Sequence, residues 1–294
     1  MDISKRDFMK LAGLGGVVFA SGLAGRIAGA AEPKDEFYFV QLSDTHWGFN
    51  GPALNPDAQG TLKKAVAAVN SLEEQPEFIV FTGDLTHTTD DAKVRHDRMA
   101  EFRDIVSALK VKTVRFMPGE HDASLDEGEA YQQFFGQTHY TFDHKGVHFI
   151  ALDNVSDPKA RVGDAQRAWL AADLKQLRKD QPIVVLTHRP LFDLYPEWDW
   201  ATKDGADVMA LLYPFSNVTV FYGHIHQENH HMTGHIVHHA AKSLIFPQPA
   251  PGSLPKRTPV AWNAAKPYNG LGFRGIEVTD RSKYVLTEYP VVKG

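Results

Sequence analysis

Cysteine is absent from this chain of 294 residues. The absence excludes disulfide bonds, thiolate metal ligands and a cysteine nucleophile, so any metal must be held by imidazole and oxygen donors. An excess of positive charge is also missing, because the net charge is −5. The first thirty residues contain four basic and two acidic side chains, which leaves the rest of the chain more acidic still. We therefore expect no nucleic-acid groove.

Long apolar runs are missing as well. The run from Leu11 to about Ala24 is short and rich in glycine, which makes it a poor membrane-spanning helix. It follows a basic start, Ser4 to Lys10, and precedes the small-x-small site Ala28-Gly29-Ala30. This layout predicts a cleaved export signal over residues 1–30.

The start of this segment resembles a twin-arginine signal, with Lys5-Arg6 in place of the arginine pair. We expect the export machinery as a partner, a periplasmic or secreted location, and no stable membrane span after signal removal. An ordinary export signal and an uncleaved anchor are the alternatives.

From Phe37 onward, short apolar runs alternate with longer amphipathic segments. The apolar runs predict strands over Phe37 to Leu42, Phe78 to Phe81, Lys112 to Met117, Tyr140 to Phe142, Val147 to Leu152, Ile183 to Leu186 and Val218 to Tyr222, with four further β-like runs between His230 and Glu288. The amphipathic segments predict helices over Asp57 to Leu72, Asp91 to Leu109, Gly128 to Phe135, Asp164 to Arg178 and Ala206 to Leu212. The alternation indicates one α/β domain over residues 31–294, built as a two-sheet sandwich with parallel and antiparallel parts.

Metal-binding side chains follow the predicted strands in five ligand blocks. The blocks are Asp44-Thr45-His46, Gly83-Asp84, Gly119-Glu120-His121-Asp122, Thr187-His188 and Gly223-His224-Ile225-His226. One such residue is usually structural or solvated, but five at the same kind of position predict a ligand site at the carboxyl ends of the strands. In an extended segment, residues two apart face the same side, so the first and last blocks should each aim two donors into one pocket. Three carboxylates and four histidines are enough for two ions of Mn, Fe or Zn.

The order of the blocks resembles the calcineurin-like metallophosphoesterase family, with its D-x-H, G-D, G-N-H-[D/E], H and G-H-x-H motifs. The resemblance covers the chain from Phe37 onward, is strongest to the class III cyclic-nucleotide and glycerophosphodiester phosphodiesterases, and implies an α/β/β/α sandwich. It implies that one metal is bound by Asp44, His46 and His226, that the other is bound by Glu120, His188 and His224, and that Asp84 bridges them. His121 would act at the leaving oxygen of a small phosphorylated substrate, and Asp122 would orient its imidazole. The implied reaction is phosphodiester hydrolysis by a metal-bridging hydroxide.

Glu120 departs from this resemblance, because the family has asparagine at this place. With asparagine, two divalent ions and two aspartates leave a charge of about +2, and an ionised Glu120 lowers it to about +1. The site should then hold metal more tightly but attract a dianionic phosphomonoester less than a monoanionic diester. A tolerated ligand change with unaltered chemistry, a phosphomonoesterase, and a metal-binding or sensing protein with impaired hydrolysis are the other interpretations.

Several side chains near the ligand blocks have two interpretations each. His87 is either a hydrogen-bond partner of the site or, as we expect, a solvated loop histidine. Trp47 either stacks on substrate or caps the edge of the core. The five histidines between His230 and His239 suggest a metal tract, but the alternating pattern favours exposed strand or loop positions. Asn50 and Arg189 flank the site and are candidates for contact with phosphate.

Overall fold

In a computed structural model, the described residues are 36–292 and the backbone of Val18–Phe19; the export signal predicted over residues 1–30 otherwise lies outside them. The strands are β1 (Val18–Phe19), β2 (Phe37–Leu42), β3 (Phe78–Thr82), β4 (Val114–Met117), β5 (Tyr140–His144), β6 (Val147–Ala151), β7 (Ile183–Leu186), β8 (Val218–Tyr222), β9 (Asn229–Thr233), β10 (Ile236–Ala240), β11 (Gly272–Val278) and β12 (Tyr284–Pro290). The helices are α1 (Ala58–Asn70), α2 (Ala92–Ser107), α3 (Glu120–Ala123), α4 (Glu129–Phe135), α5 (Asp164–Leu174) and α6 (Gly205–Leu212), with a 3₁₀ turn at Pro196–Trp198.

The strands form two sheets, in the orders β1-β12-β11-β2-β3-β4 and β5-β6-β7-β8-β10-β9. Strands β2, β3 and β4 are parallel in the first sheet, as are β6, β7, β8 and β10 in the second. Antiparallel strands flank both parallel groups. Parallel strands end at the same edge of their sheet, so the loops that follow β2, β3, β4, β7 and β8 can meet there.

Three apolar layers hold the sandwich together. Phe39 and Phe78 of the first sheet pack against Phe149 and Phe221 of the second. Leu62 of α1 and Phe102 of α2 cover the outer face of the first sheet, and the outer face of the second lies in a separate cluster with α5 and α6. The predicted α/β/β/α sandwich is confirmed.

Helix α5 is shorter than the predicted span to Arg178, since it ends at Leu174. The chain beyond it tightens into turns in which the amides of Gln176 and Leu177 donate to carbonyls three residues back. Among residues 36–292, no helix combines the length and apolar character needed to cross a membrane.

Candidate metal centre

The five ligand blocks meet at the carboxyl edge of the two sheets. The amide of Asp44 donates to the Gly83 carbonyl (3.0 Å), and the amide of His46 donates to the Asp84 carbonyl (2.8 Å). The His224 amide donates to the Asp44 carboxylate (3.1 Å). These bonds join loops of both sheets, so the expected convergence occurs.

The side chains form two donor sets around a common carboxylate. One set is Asp44, His46, Asp84 and His226, and the other is Asp84, Glu120, His188 and His224; the donor atoms of each lie within 4.8 Å of one another. Asp84 Oδ2 lies 3.4 Å from His46 Nε2 and 3.4 Å from His188 Nε2. Asp84 is therefore placed to serve both sets.

Hydrogen bonds behind the imidazoles decide which nitrogen faces the centre. His188 Nδ1 lies 2.6 Å from the Thr82 carbonyl, and His226 Nδ1 lies 2.8 Å from the Phe246 carbonyl. His224 is reversed, with Nε2 at 3.0 Å from the Asp199 carbonyl. A carbonyl only accepts, so each of these nitrogens carries the proton and the opposite nitrogen presents its lone pair to the centre.

The donor atoms fit two metal ions. His188 Nε2, His224 Nδ1 and Glu120 Oε2 are buried without a hydrogen-bond partner among the described residues, which is unusual for buried polar atoms. His188 Nε2 lies 2.9 Å from Glu120 Oε2, and His46 Nε2 lies 3.2 Å from His226 Nε2. Donors bound about 2.1 Å from one ion lie roughly 3.0–3.4 Å apart. The mixture of nitrogen and oxygen donors suits Mn, Fe or Zn.

The electrostatics of the second set also indicate a cation. Burial acts to lower the pKa of His188, but the carboxylates of Asp84 and Glu120 outweigh it and raise this pKa well above its usual value. Burial acts to raise the pKa of Glu120, but His224, Arg189 and His188 hold it well below its usual value. The carboxylates thus attract positive charge to this position.

Five expected ligands adopt left-handed backbone conformations. Their φ angles are +55° at Asp44, +42° at His46, +49° at Asp84, +66° at His224 and +52° at His226. Such conformations cost non-glycine residues about 1–3 kcal/mol each and cluster at functional sites. The expectation that the first and last blocks converge because they are extended is therefore wrong. Their donors converge because the chain kinks at each ligand.

Two motif glycines permit the loops to approach this closely. A Cβ atom on Gly119 would lie 2.1 Å from the Asp84 amide nitrogen. A Cβ atom on Gly223 would lie 2.1 Å from Ser43 Oγ and 2.8 Å from Asp44 Oδ2. Any side chain at either position would push ligand loops apart.

His121 lies beside the centre, with its orientation set by Thr88. The Thr88 amide donates to His121 Nδ1 (3.3 Å), and Thr88 Oγ1 lies 2.6 Å from the same nitrogen. An amide can only donate, so Nδ1 carries a lone pair and neutral His121 is protonated at Nε2. The His121 amide donates to Asp84 Oδ1 (2.9 Å).

Asp122 does not orient His121, contrary to expectation. Its carboxylate accepts the amides of Leu85, Thr86 and Gly119 and the Thr86 hydroxyl, at 2.8–2.9 Å. Asp122 lies in the first turn of α3 facing the loop after β3, so its four bonds tie these two loops together. Sequence reasoning missed Thr88, because a threonine four residues beyond Asp84 belongs to no motif.

His87 is part of the site rather than a solvated loop histidine. Its Nδ1 lies 3.3 Å from His46 Nδ1, and its ring stacks on His121 with centroids 4.8 Å apart. Burial and the neighbouring His121 lower the pKa of His87 to about 4, so its imidazole is neutral and can accept from His46. In the sequence, the only indication that His87 belongs to the site was its position three residues after Asp84.

The other residues with two interpretations lie in the core or at the surface. Trp47 is partly buried against the outer apolar cluster of the first sheet and donates to Glu101 of α2 (2.8 Å), in agreement with the core-edge interpretation. His238 and His239 are buried, so the expectation of exposed histidines is wrong for these two. Asn50 is exposed.

Arg189 is buried beside the second donor set. Its Nη1 lies 2.6 Å from Asp199 Oδ2, and its Nη2 lies 3.8 Å from Glu120 Oε2. Asp199 was missed by sequence reasoning, since it reaches the site only because the loop after β7 folds back.

Comparisons with known proteins agree with this geometry. The model of the calcineurin-like phosphoesterase family matches residues 37–228. A mouse protein named serine/threonine-protein phosphatase CPPED1 is 28% identical over 182 residues, covering 55% of this chain and 58% of that protein. The chain thus spans little more than half the length of this relative.

Two further proteins are similar over more of their length. One from Rhodopseudomonas palustris, named "Probable cyclic nucleotide phosphodiesterase", is 24% identical over 241 residues, covering 73% of this chain and 84% of that protein. The crystal structure of a dimetal phosphatase from Danio rerio superposes with a TM-score of 0.59 at 15% identity, covering 87% of this chain and 97% of that one. At this low identity, the superposition shows that the two proteins share a fold.

Proposed function

The chain belongs to the calcineurin-like phosphoesterase family, and from this premise we propose that it is an exported, dinuclear metal-dependent hydrolase of phosphodiesters. One observation carries the proposal. A single oxygen, Asp84 Oδ2, lies 3.4 Å from a ligand nitrogen of each donor set, as a bridging carboxylate requires.

The side chains divide the work of hydrolysis. Asp44, His46 and His226 would hold one ion, Glu120, His188 and His224 the other, and Asp84 both. When bound, the two ions supply an activated water and offset charge on the phosphoryl oxygens. His121 would donate a hydrogen bond from Nε2–H to the leaving oxygen, because the Thr88 amide keeps Nδ1 unprotonated and places the proton on Nε2.

The preference for diesters rests on Glu120. Its carboxylate lies 2.9 Å from His188 Nε2 and 3.0 Å from His224 Nδ1, and its low pKa keeps it ionised. This fixed charge repels a dianionic monoester more strongly than a monoanionic diester. The name of the Rhodopseudomonas palustris relative also indicates a diester substrate.

The test uses the protein from residue 31 onward, loaded separately with Mn, Zn or Fe. We expect turnover of bis(p-nitrophenyl) phosphate at a kcat/KM above that of p-nitrophenyl phosphate, and loss of both activities in the Asp84→Ala variant. A faster monoester reaction would indicate a phosphomonoesterase. Two bound ions without turnover of either compound would indicate a metal-binding or sensing protein.

Export is tested in a bacterial host by fractionation of the full chain. We expect the shortened product in the periplasmic or secreted fraction, and retention in the cytoplasm when Lys5 and Arg6 are both replaced by glutamine. A full-length product in the membrane fraction would support an uncleaved anchor. Export that survives both replacements would favour an ordinary export signal.

A further inference from the structure

The charge near the second donor set includes a guanidinium that the family motifs do not contain. Arg189 directly follows His188, the last residue of the fourth ligand block, and is 5% exposed. Its Nη2 lies 3.8 Å from Glu120 Oε2, so a buried positive charge accompanies the carboxylate that replaces the family's asparagine.

We propose that Arg189 is a specificity-determining residue that restores the positive charge that Glu120 removes from the site. The inference rests on the proposed function, since it concerns how the same centre attracts a phosphoryl group. With Arg189 included, an anion approaching the ions experiences part of the positive charge that an asparagine-containing centre would have. The selectivity against monoesters expected from Glu120 alone should therefore be smaller.

Asp199 does not cancel this effect. Although its carboxylate lies 2.6 Å from Arg189 Nη1, the Asp199 side chain is 55% exposed and that of Arg189 only 6%. Solvent screens the exposed charge much more than the buried one. The net contribution of the pair near the centre is thus positive.

The loop after β7 holds the guanidinium in place. The Asp199 carbonyl accepts from Arg189 Nη1 (2.9 Å) and lies 3.0 Å from His224 Nε2. Asp199 has a left-handed conformation, with φ +65°, and both its carbonyl and its carboxylate contact Arg189 Nη1. Arg189 Nη2, at 3.8 Å from Glu120 Oε2, is the guanidinium nitrogen that lies beside the second donor set.

The test measures binding of inorganic phosphate to metal-loaded protein by titration calorimetry. The variants are Arg189→Gln, Arg189→Lys, Glu120→Asn and the double variant Glu120→Asn/Arg189→Gln. Arg178→Gln is the matched control, because Arg178 is exposed and pairs with Asp180 near the start of β7, at the opposite end of the strand from the site. Metal content and thermal unfolding are measured for each.

We expect Arg189→Gln to weaken phosphate binding by roughly tenfold, the scale of one hydrogen bond to a charged group. Glu120→Asn should tighten it, and the double variant should return to within about threefold of the parent protein. Arg189→Lys should keep most of the affinity, since it keeps the charge. Arg178→Gln should change nothing.

The inference is overturned if Arg189→Gln, with two ions bound, keeps the parental phosphate affinity, or if the double variant behaves as Glu120→Asn does. If Arg189→Gln does not fold, Arg189→Met keeps the buried aliphatic volume and is held to the same two outcomes. Phosphate binding that follows the expected order in a protein without turnover would support the role of Arg189 while rejecting hydrolysis.

Discussion

The two donor sets of the candidate metal centre, its first and second halves, differ in the groups that surround the expected ligands. In the first, Asp44, His46 and His226 are backed by neutral groups, since His46 Nδ1 faces the His87 ring and His226 Nδ1 a carbonyl. In the second, Glu120 adds a carboxylate and Arg189 a guanidinium. Each half thus contributes a carboxylate of its own, and in the second half that carboxylate lies near a guanidinium.

The difference indicates which property of the centre a substitution in each half should change. In the first half, His46, His87 and His121 form one chain of neighbouring imidazoles, which joins an expected metal ligand to the residue proposed to act at the leaving oxygen. The second half has fixed charges that act on any anion. Changes in the first half should alter metal retention and proton transfer, and changes in the second should alter substrate charge preference.

The largest effect is expected from removing the carboxylate of Asp84, which both donor sets share. Asp84→Ala should remove the bridging oxygen, lower the content of both metals and reduce diesterase kcat/KM by about 10³-fold or more, because metal ions contribute several kcal/mol to the reaction. Elemental analysis and bis(p-nitrophenyl) phosphate kinetics measure this. His226→Ala and His188→Ala are the controls and should each lose one ion. Retention of both ions by Asp84→Ala would contradict the two-set description.

A His121 variant tests the first half of the candidate centre separately. His121→Ala should slow diesters with alkyl leaving groups by about 10²-fold, but p-nitrophenyl esters much less, because that leaving group needs no proton. Parallel kinetics with an alkyl and a p-nitrophenyl diester measure the contrast. His235→Ala, at an exposed position, is the control. Equal losses on both substrates would reject the proposed role of His121 at the leaving oxygen.

A smaller effect is expected from replacing His87, whose imidazole contacts His46. His87→Leu should weaken binding of the first ion by about 10–100-fold, the usual scale for a hydrogen-bond partner of a ligand. His87→Gln keeps an acceptor and should lose less. Calorimetric metal titration should show that the second ion is held as before. If Leu and Gln behave alike, the bond from His46 contributes nothing.

The smallest effect is expected at Thr88. Thr88→Val removes the hydroxyl near His121 Nδ1 but leaves the amide, so the loss should be about 1 kcal/mol, or roughly fivefold, on alkyl diesters. The loss should be much smaller on p-nitrophenyl diesters, because that leaving group needs no assistance at its oxygen. Thr88→Ser should restore the rate on alkyl diesters. An equal loss on both kinds of diester would contradict a role of Thr88 in orienting His121.

The sequence predicted the sandwich and the side chains that meet at its edge better than it predicted their surroundings. The spacing of apolar residues indicated the strands and helices of both sheets. The ligand blocks indicated which loops meet. The assigned role of Asp122 was wrong, and Thr88 and Asp199 were missed. Hydrogen bonds between loops distant in sequence leave no local pattern. The left-handed φ at Asp44 and His46 was missed for the same reason, since tertiary contacts impose it on residues that do not favour it.

The sequence by itself determined the order of strands and helices, the donor chemistry and the presence of Glu120, because these depend on residue type and spacing. Only the tertiary structure decided which nitrogen of each histidine faces the centre, which residue orients His121, and that Glu120 lies beside a buried Arg189. The physical reason is that these features depend on distances of about 3–4 Å between side chains from different loops, over which hydrogen bonds and charges act.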